Sequence, residues 1–291
     1  MKNSSSNFWF EASSGRKLLL HTWKPETSAL GTILVTHGYA EHGGRYARIA
    51  ADWCSLGFEV TSFDLGGHGR SSGKRAYVDS YRSFVRDVTE VAEHVSRNMS
   101  DRPLILFGHS MGGALAVHAV LDRPSLFDGI ILSSPALGSN QAPILQKMAH
   151  VLSRIVPNLP TILLDRTLLS HDTDYVREAE SDPLNYCGRM PARTGSQMLR
   201  AMEDIWNPGI RLELPVLLIH GTEDALTDPD ATCAYYECLS SRDKTLALFD
   251  GFFHETFNEP DRDRVVQEIA DWLKEHVSNS TMVGDGAAVS E

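Results

Sequence analysis

The 291-residue chain is short of cysteine, of basic residues and of long apolar runs, and each shortage narrows what it can be. Its four cysteines (Cys54, Cys187, Cys233 and Cys238) are scattered and form no CxxC pair. With no export signal in a chain of this size, reduced thiols are expected rather than bridges. No stretch approaches the roughly 20 apolar residues that a membrane-spanning helix needs. The opening MKNSSSNFWFEASSGRK has no apolar run of signal-peptide length. A cytoplasmic location is therefore the expectation, with peripheral contact with a membrane left open. Lys and Arg number 27 against 38 Asp and Glu, a formal net charge of −11. That balance argues against nucleic acid and anionic membrane as main partners, because both repel it at long range. Neutral lipid is not excluded.

What is present is a globular chain, 42% hydrophobic and 22% charged, long enough to bury a sizeable core. Short apolar runs recur: KLLLHTW (17–23), TILVTHG (32–38), FEVTSFD (58–64), PLILFGH (103–109), GIILSSP (129–135), PVLLIHG (215–221) and KTLALFD (244–250). Several are apolar throughout, as strands covered on both faces are. Helical patterns fall between them at 45–56, 80–98, 111–122, 229–239 and 261–277, the last with Val265, Ile269, Trp272, Leu273 and Val277 on one stripe. This alternation predicts an α/β fold with a doubly wound, mostly parallel sheet. The stretch 136–214 breaks the rhythm: it has helical patterns and prolines but no clear strand, and is too long for a plain loop. It is expected to be a helical cap inserted into a core of 8–135 and 215–277, within one domain over 1–277. The small, polar segment 278–291 is expected to be a disordered tail.

The chemistry begins at LILFGHSMGGALAV (104–117), where a strand pattern runs into G-x-S-x-G and then a helix pattern. In such a turn the serine adopts a strained backbone, and Cβ atoms two residues to either side would strike the crossing chain; Gly108 and Gly112 avoid this. Ser110 is then presented at the carboxyl edge of the sheet, where open α/β folds bind ligands. The same pattern also arises by chance, as a glycine-rich corner with an ordinary serine, so its partners decide. A serine hydroxyl needs a base to take its proton, and the base needs a carboxylate to orient it. Asp224 follows the strand run LLIHG, with Glu223 as its competitor, and Asp228 before Pro229 reads instead as a helix cap. His254 follows the run LALF. Among the twelve histidines it is the one downstream of Asp224 in a loop after a strand. His21, His94, His118, His220 and His276 fall on strand or helix patterns and read as structural or surface residues. An oxyanion needs two amide donors; Met111, after the serine, supplies one, and Tyr39, after TILVTHG, is the candidate for the other, with His37 and Gly38 shaping that loop. The chemistry calls for no metal and no organic cofactor.

These stretches, with HGYAEHGGRY (37–46), FDLGGHGRSSGKRAYV (63–78), HGTEDALTDP (220–229) and GFFHETFNEP (251–260), resemble the monoacylglycerol lipase and lysophospholipase branch of the α/β-hydrolase superfamily. The resemblance spans nearly all of 8–277, with SSPAL (133–137) and DPL (182–184) also matching. It implies an α/β-hydrolase fold, Ser110 as nucleophile, Asp224 as acid, His254 as base and the amides of Tyr39 and Met111 as the oxyanion hole. It further implies a small lipid ester as substrate, a fatty acyl ester of glycerol, with the cap forming an apolar acyl channel. Two departures stand out. Leu65 and Gly66 occupy a place where the family more often has a basic residue, which removes a loop ion pair. Tyr39 replaces a smaller or apolar residue and is expected to narrow the acyl pocket.

The expectation is a serine esterase acting on monoacylglycerols. A lysophospholipase or general carboxylesterase is the nearest rival, since specificity resides in cap contacts. An aminopeptidase would need acidic groups such as Glu178, Glu180 or Asp182 turned into the site. A non-catalytic binding protein of the same fold would be missing a triad member, and none is missing here. The helix pattern at 143–156, with Ile144, Met148, Val151, Leu152 and Ile155 on one face, fits either a lid that transiently touches lipid or a helix packed on the protein. Glu41, His42 and Arg45 fit either a head-group contact or a charged loop network.

Overall fold

The computed structural model describes residues 4–99, 102–138, 143–207 and 211–280. Eight strands form one sheet: β1 (Ser4–Glu11), β2 (Lys17–Lys24), β3 (Gly31–Thr36), β4 (Phe58–Phe63), β5 (Leu104–His109), β6 (Gly129–Ser133), β7 (Val216–Gly221) and β8 (Lys244–Phe249). Their spatial order is β1-β2-β4-β3-β5-β6-β7-β8. The pairings β1–β2 and β2–β4 are antiparallel and all others parallel. All seven expected strands are there. β1 was not foreseen, and it takes the sheet back to Ser4, ahead of the expected start of the core at residue 8.

The near-continuous apolar strands make sense because helices cover both faces. On one face Ile33, Val35, Ile105, Phe107, Leu217 and Ile219 pack against α1 (Ala47–Ser55) and α8 (Asp263–Ser280). Every member of the expected α8 stripe, from Val265 to Val277, is in this cluster. On the other face the alternate residues Leu34, Leu106, Ile130, Leu132, Val216 and Leu218 meet α2 (Tyr81–Arg97), α3 (Met111–Asp122) and α7 (Pro229–Cys238). Period-two alternation thus buries both sets of side chains. Asp228 caps α7, its side chain accepting from the Asp230 N–H at 3.0 Å, as its place before Pro229 predicts.

Between β6 and β7 the described residues form no strand of the sheet: they hold α4 (Pro143–Ile155), α5 (Thr173–Ser181) and α6 (Ala192–Ile205), a short 3-10 turn at Arg166–Leu168 and a single bridge between Pro160 and Pro191. The apolar stripe of α4 faces outward, with Ile144 63% and Ile155 74% exposed, and Met148 and Val151 exposed too. α8 continues to Ser280, past the point where a tail was expected, and the remainder of that expected tail lies outside the described residues. No helix among the described residues is long and apolar enough to cross a membrane.

Strand order reverses between β3 and β5: β4 lies on one side of β3 and β5 on the other. Open α/β sheets bind ligands at the carboxyl ends of the strands flanking such a point. Leu106, fully buried in β5, tests the packing described here. Leu106→Ala should cost about 2–5 kcal/mol in urea unfolding, whereas Trp9→Ala on the exposed β1 should stay within about 0.5 kcal/mol. Equal losses would contradict the assignment of the core.

Candidate active site

Ser110 stands in the one-residue link between β5 and α3, with φ 55° and ψ −122°. Positive φ is strained for any side chain with a Cβ. The register explains why the chain accepts it: Thr36 at the end of β3 pairs with Gly108, and α3 leaves directly across that strand end. A Cβ on Gly112 would lie 2.1 Å from the Thr36 carbonyl oxygen, and one on Gly108 would lie 2.6 Å from the Gly112 carbonyl oxygen. The turn is laced to β6 as well, Ser110 N–H donating to Ser133 O at 3.0 Å and Ala136 N–H to Ser110 O at 2.9 Å. The Ser110 hydroxyl forms no hydrogen bond to a described residue; such contacts often tighten only when substrate is bound.

The loop after β3 closes over this turn. The His37 ring accepts from Leu65 N–H at Nε2 (2.9 Å), and Nδ1 accordingly donates to Gly38 O (2.7 Å). Gly38 N–H donates to Glu41 Oε1 at 2.6 Å, and a Cβ on Gly38 would stand 3.2 Å from Ser110 Cβ. The Tyr39 ring is buried and its hydroxyl donates to Ala76 O at 3.3 Å. Neither the Tyr39 nor the Met111 N–H is engaged in a hydrogen bond among the described residues. Tyr39 lines a small cavity beside Ser110. The loop at Asp64 is well anchored despite Leu65 and Gly66. Its carboxylate accepts from Gly43 N–H (2.9 Å) and Arg70 N–H (2.8 Å) and meets His21 Nε2 (2.9 Å).

Asp224 and His254 come from the turns after β7 and β8, which are joined by the bond from Glu223 N–H to Phe252 O at 3.0 Å. His254 Nδ1 lies 2.7 Å from Asp224 Oδ2. Asp224 Oδ1 accepts from the N–H groups of Leu226 (2.8 Å) and Thr227 (3.0 Å), which fix the carboxylate's tilt. Burial alone would raise the Asp224 pKa, but the charge on His254 and the hydrogen bonds from His220 and His254 hold it well below the carboxylate range. For His254 burial works the other way, and the adjacent Asp224 carboxylate overcomes it, so its pKa lies above the ordinary histidine value. His109 has its ring 4.7 Å from that of His254, and burial together with that neighbour pushes its pKa down to about 3, so it stays neutral. Glu223 is exposed and does not compete with Asp224.

Ser110, His109 and His254 line a cavity of about 90 Å³ together with Gly38, Tyr39, Glu41, Arg45 and Glu255. Glu41, Arg45 and Glu255 form a buried network: Arg45 bridges Glu41 (2.8 Å) and Glu255 (3.0 and 3.1 Å), and the Tyr175 hydroxyl of α5 donates to Glu255 at 2.5 Å. His42 bonds instead to Asp182 at 2.9 Å. The charged-loop reading of this cluster therefore holds, but Glu41 and Arg45 also face the cavity. Glu255 and Tyr175 carry no signal in the sequence, because Arg45, which both contact, lies 210 and 130 positions away. A second, larger cavity of about 760 Å³ adjoins, lined by Leu152, Ile162, Leu163, Met198 and Leu199 and reaching Leu226 and Thr227. Glu178 and Glu180 are exposed on α5 and line neither cavity. His21, His118 and His276 are engaged with Asp64, Ala201 O and Asp243 respectively. His220 does not behave as a bystander, since it bonds Asp224.

A mostly parallel sheet with a strained serine at a strand-to-helix turn and a buried Asp–His pair at the same edge defines an α/β-hydrolase. The chain belongs to the family described as serine aminopeptidase, S33, whose profile matches residues 27–261. It is 33% identical to the monoglyceride lipase of Homo sapiens over 91% of this chain and 89% of that one. It is 29% identical to the monoacylglycerol lipase of Mycolicibacterium smegmatis, over 95% and 100% of the respective chains. Among solved structures, the monoacylglycerol lipase of Paleococcus ferrophilus superposes with a TM-score of 0.77 at 31% identity, covering 95% of this chain and all of that one.

The turn at Ser110 makes opposite predictions for two substitutions. Gly112→Ala should lower stability by at least about 2 kcal/mol, because a backbone carbonyl occupies the Cβ position. Ser110→Gly should leave the fold as stable or up to about 1 kcal/mol more so, as relieved strain of about 1–3 kcal/mol exceeds the added freedom of the unfolded chain. Chemical denaturation of both reads the result; a marked loss in Ser110→Gly would contradict the strain.

Proposed function

We propose that this chain hydrolyses the ester bond of monoacylglycerols, giving a fatty acid and glycerol, with Ser110, Asp224 and His254 as its catalytic triad. The observation that carries the reading is the hydrogen-bonded Asp224–His254 pair sharing one cavity with a serine held in a strained turn. His254 accepts the Ser110 proton as Oγ attacks the ester carbonyl, and Asp224 holds Nδ1–H and stabilises the imidazolium. The developing oxyanion is met by the N–H groups of Tyr39 and Met111, the latter at the head of α3 where the helix dipole also favours negative charge. His254 then protonates the departing glycerol oxygen, and water, activated by the same base, releases the acid.

The cavities match the two ends of such a substrate. The larger one, walled by Leu152, Ile162, Leu163, Met198 and Leu199, has room for an acyl chain, and the charged side chains Glu41, Arg45 and Glu255 in the wall of the smaller one beside Ser110 can hydrogen-bond a glycerol head. The small cavity has Glu41, Asp165 and Glu255 against Arg45 and Arg166 in its wall, an excess of negative charge that disfavours a phosphate head group. We read 136–214 as the cap that encloses both. The outward stripe of α4, continued by exposed Leu159, Ile162 and Leu163, supports the lid reading, with transient contact between this face and a lipid surface.

Ser110→Ala should keep the fold while kcat falls at least ~10³-fold, in line with triad deletions elsewhere. For one acyl chain, kcat/KM on the monoacylglycerol should exceed that on the anionic lysophosphatidic acid by at least about tenfold, ~1.4 kcal/mol; the reverse order would move the assignment to lysophospholipase. Catalysis needs His254 neutral, and its pKa lies above the ordinary value. kcat/KM should thus rise with pH through a midpoint above about 6.5. A midpoint well below that would contradict the charge arrangement.

A further inference from the structure

His220 is the last residue but one of β7, four residues before Asp224, and no part of it is exposed. Its Nε2 is 3.0 Å from Asp224 Oδ2 and its Nδ1 is 2.8 Å from the Thr232 hydroxyl of α7. These partners choose the tautomer. An ionised carboxylate only accepts, so Nε2 carries the hydrogen, and Nδ1 accepts a hydrogen bond from the Thr232 hydroxyl. Asp224 Oδ2 is the oxygen that also receives His254 Nδ1–H at 2.7 Å, so one oxygen serves two imidazoles. The Thr227 hydroxyl lies 2.7 Å from the same oxygen and 3.0 Å from Ser134 O, and can donate to only one of them.

We propose that His220 is a positioning residue of the site, its Nε2–H, set by Thr232, holding Asp224 Oδ2 toward His254 and drawing off part of that oxygen's charge. The inference rests on the reading of Asp224 and His254 given above. A carboxylate oxygen with one imidazole as its only partner would hold an imidazolium very tightly; a second N–H donor weakens that grip. His220 thereby lets His254 give up its proton nearer neutral pH while keeping the carboxylate ionised and aimed. The other charged and titratable groups about His254 are Glu255 beside it, Glu41 and Arg45 in the loop after β3, and His109 at the end of β5. None of these touches His220, so a substitution there leaves them in place.

Nitrogen-15 NMR of the histidine rings, in the wild-type chain and in Ser110→Ala, reads this without relying on turnover. In His220→Leu the His254 titration should move up by about one pH unit, roughly tenfold tighter proton binding. In His220→Gln, which restores an N–H donor, it should return toward the wild-type value. kcat/KM of His220→Leu on a monoacylglycerol should fall more at pH 6 than at pH 9, by a factor approaching about ten, while His220→Gln follows the wild-type profile. A folded His220→Leu whose His254 titrates at the wild-type pH, with activity scaled uniformly across pH, would overturn the proposal. Should His220→Leu not fold, the wild-type spectrum decides. The neutral His220 ring must show a protonated Nε2 and a bare Nδ1; an Nδ1–H tautomer overturns it. Absence of turnover in the wild-type chain with the His254 shift intact would count against the catalytic reading alone.

Discussion

The tight crossing of three backbones at the switch point of the sheet sets the rest of the arrangement. β5 ends, the chain reverses through Ser110, and α3 leaves across the end of β3 so closely that the Thr36 carbonyl fills the space where a side chain of residue 112 would begin. This contact fixes the direction of the Ser110 side chain, and it places the first amide of α3 and the loop after β3 on the same side of the serine. The positive φ at Ser110 is the local cost, offset by bonds from Ser110 to Ser133 at the end of β6 and to Ala136 just past it. A hydroxyl on an ordinary loop would lack this constraint and would wander among rotamers.

Charge is handled by saturation around that turn. Asp224 is ionised and nearly enclosed, and both of its oxygens are occupied by donors. Arg45 is flanked by two glutamates, so the buried cluster beside the cavity keeps a net negative charge, and Tyr175 draws α5 into it. The insertion is bound to the His254 loop a second time through backbone, Glu255 N–H donating to Leu169 O at 2.8 Å, and His171 stacks on Phe253 at 3.7 Å. This part of the insertion is thus tied to the loop that carries His254. α4 and the segment after it instead turn apolar side chains outward, so firm anchoring and surface contact belong to different parts of one insertion.

Much of this was legible in the one-dimensional string. The seven strands buried on both faces announced themselves as apolar runs, and the serine turn, the acid after β7 and the histidine after β8 followed from strand ends. β1 was silent because SSSNFWFE lies at the sheet edge, largely exposed, and owes its pairing to β2 rather than to its own pattern. The Tyr39 ring lines the smaller cavity with its hydroxyl on Ala76 O, a partner 37 positions away that its place after β3 does not reveal. His220 looked like one more strand histidine. Only the fold of the turn between residues 220 and 224 brings its ring onto Asp224, a relation that spacing along a strand does not reveal. Glu255 was overshadowed by its neighbour His254, and its partner Arg45 is set beside it by the packing of two distant loops.

The central claim is that one serine, activated by one buried Asp–His pair, does the chemistry. Reaction of the folded chain with a fluorophosphonate probe, followed by peptide mass spectrometry, tests it most directly. The account predicts a single adduct on the peptide carrying Ser110, lost on heat denaturation and strongly reduced in His254→Ala. No adduct in the folded chain, or an adduct on another residue with Ser110 unmodified, would contradict it.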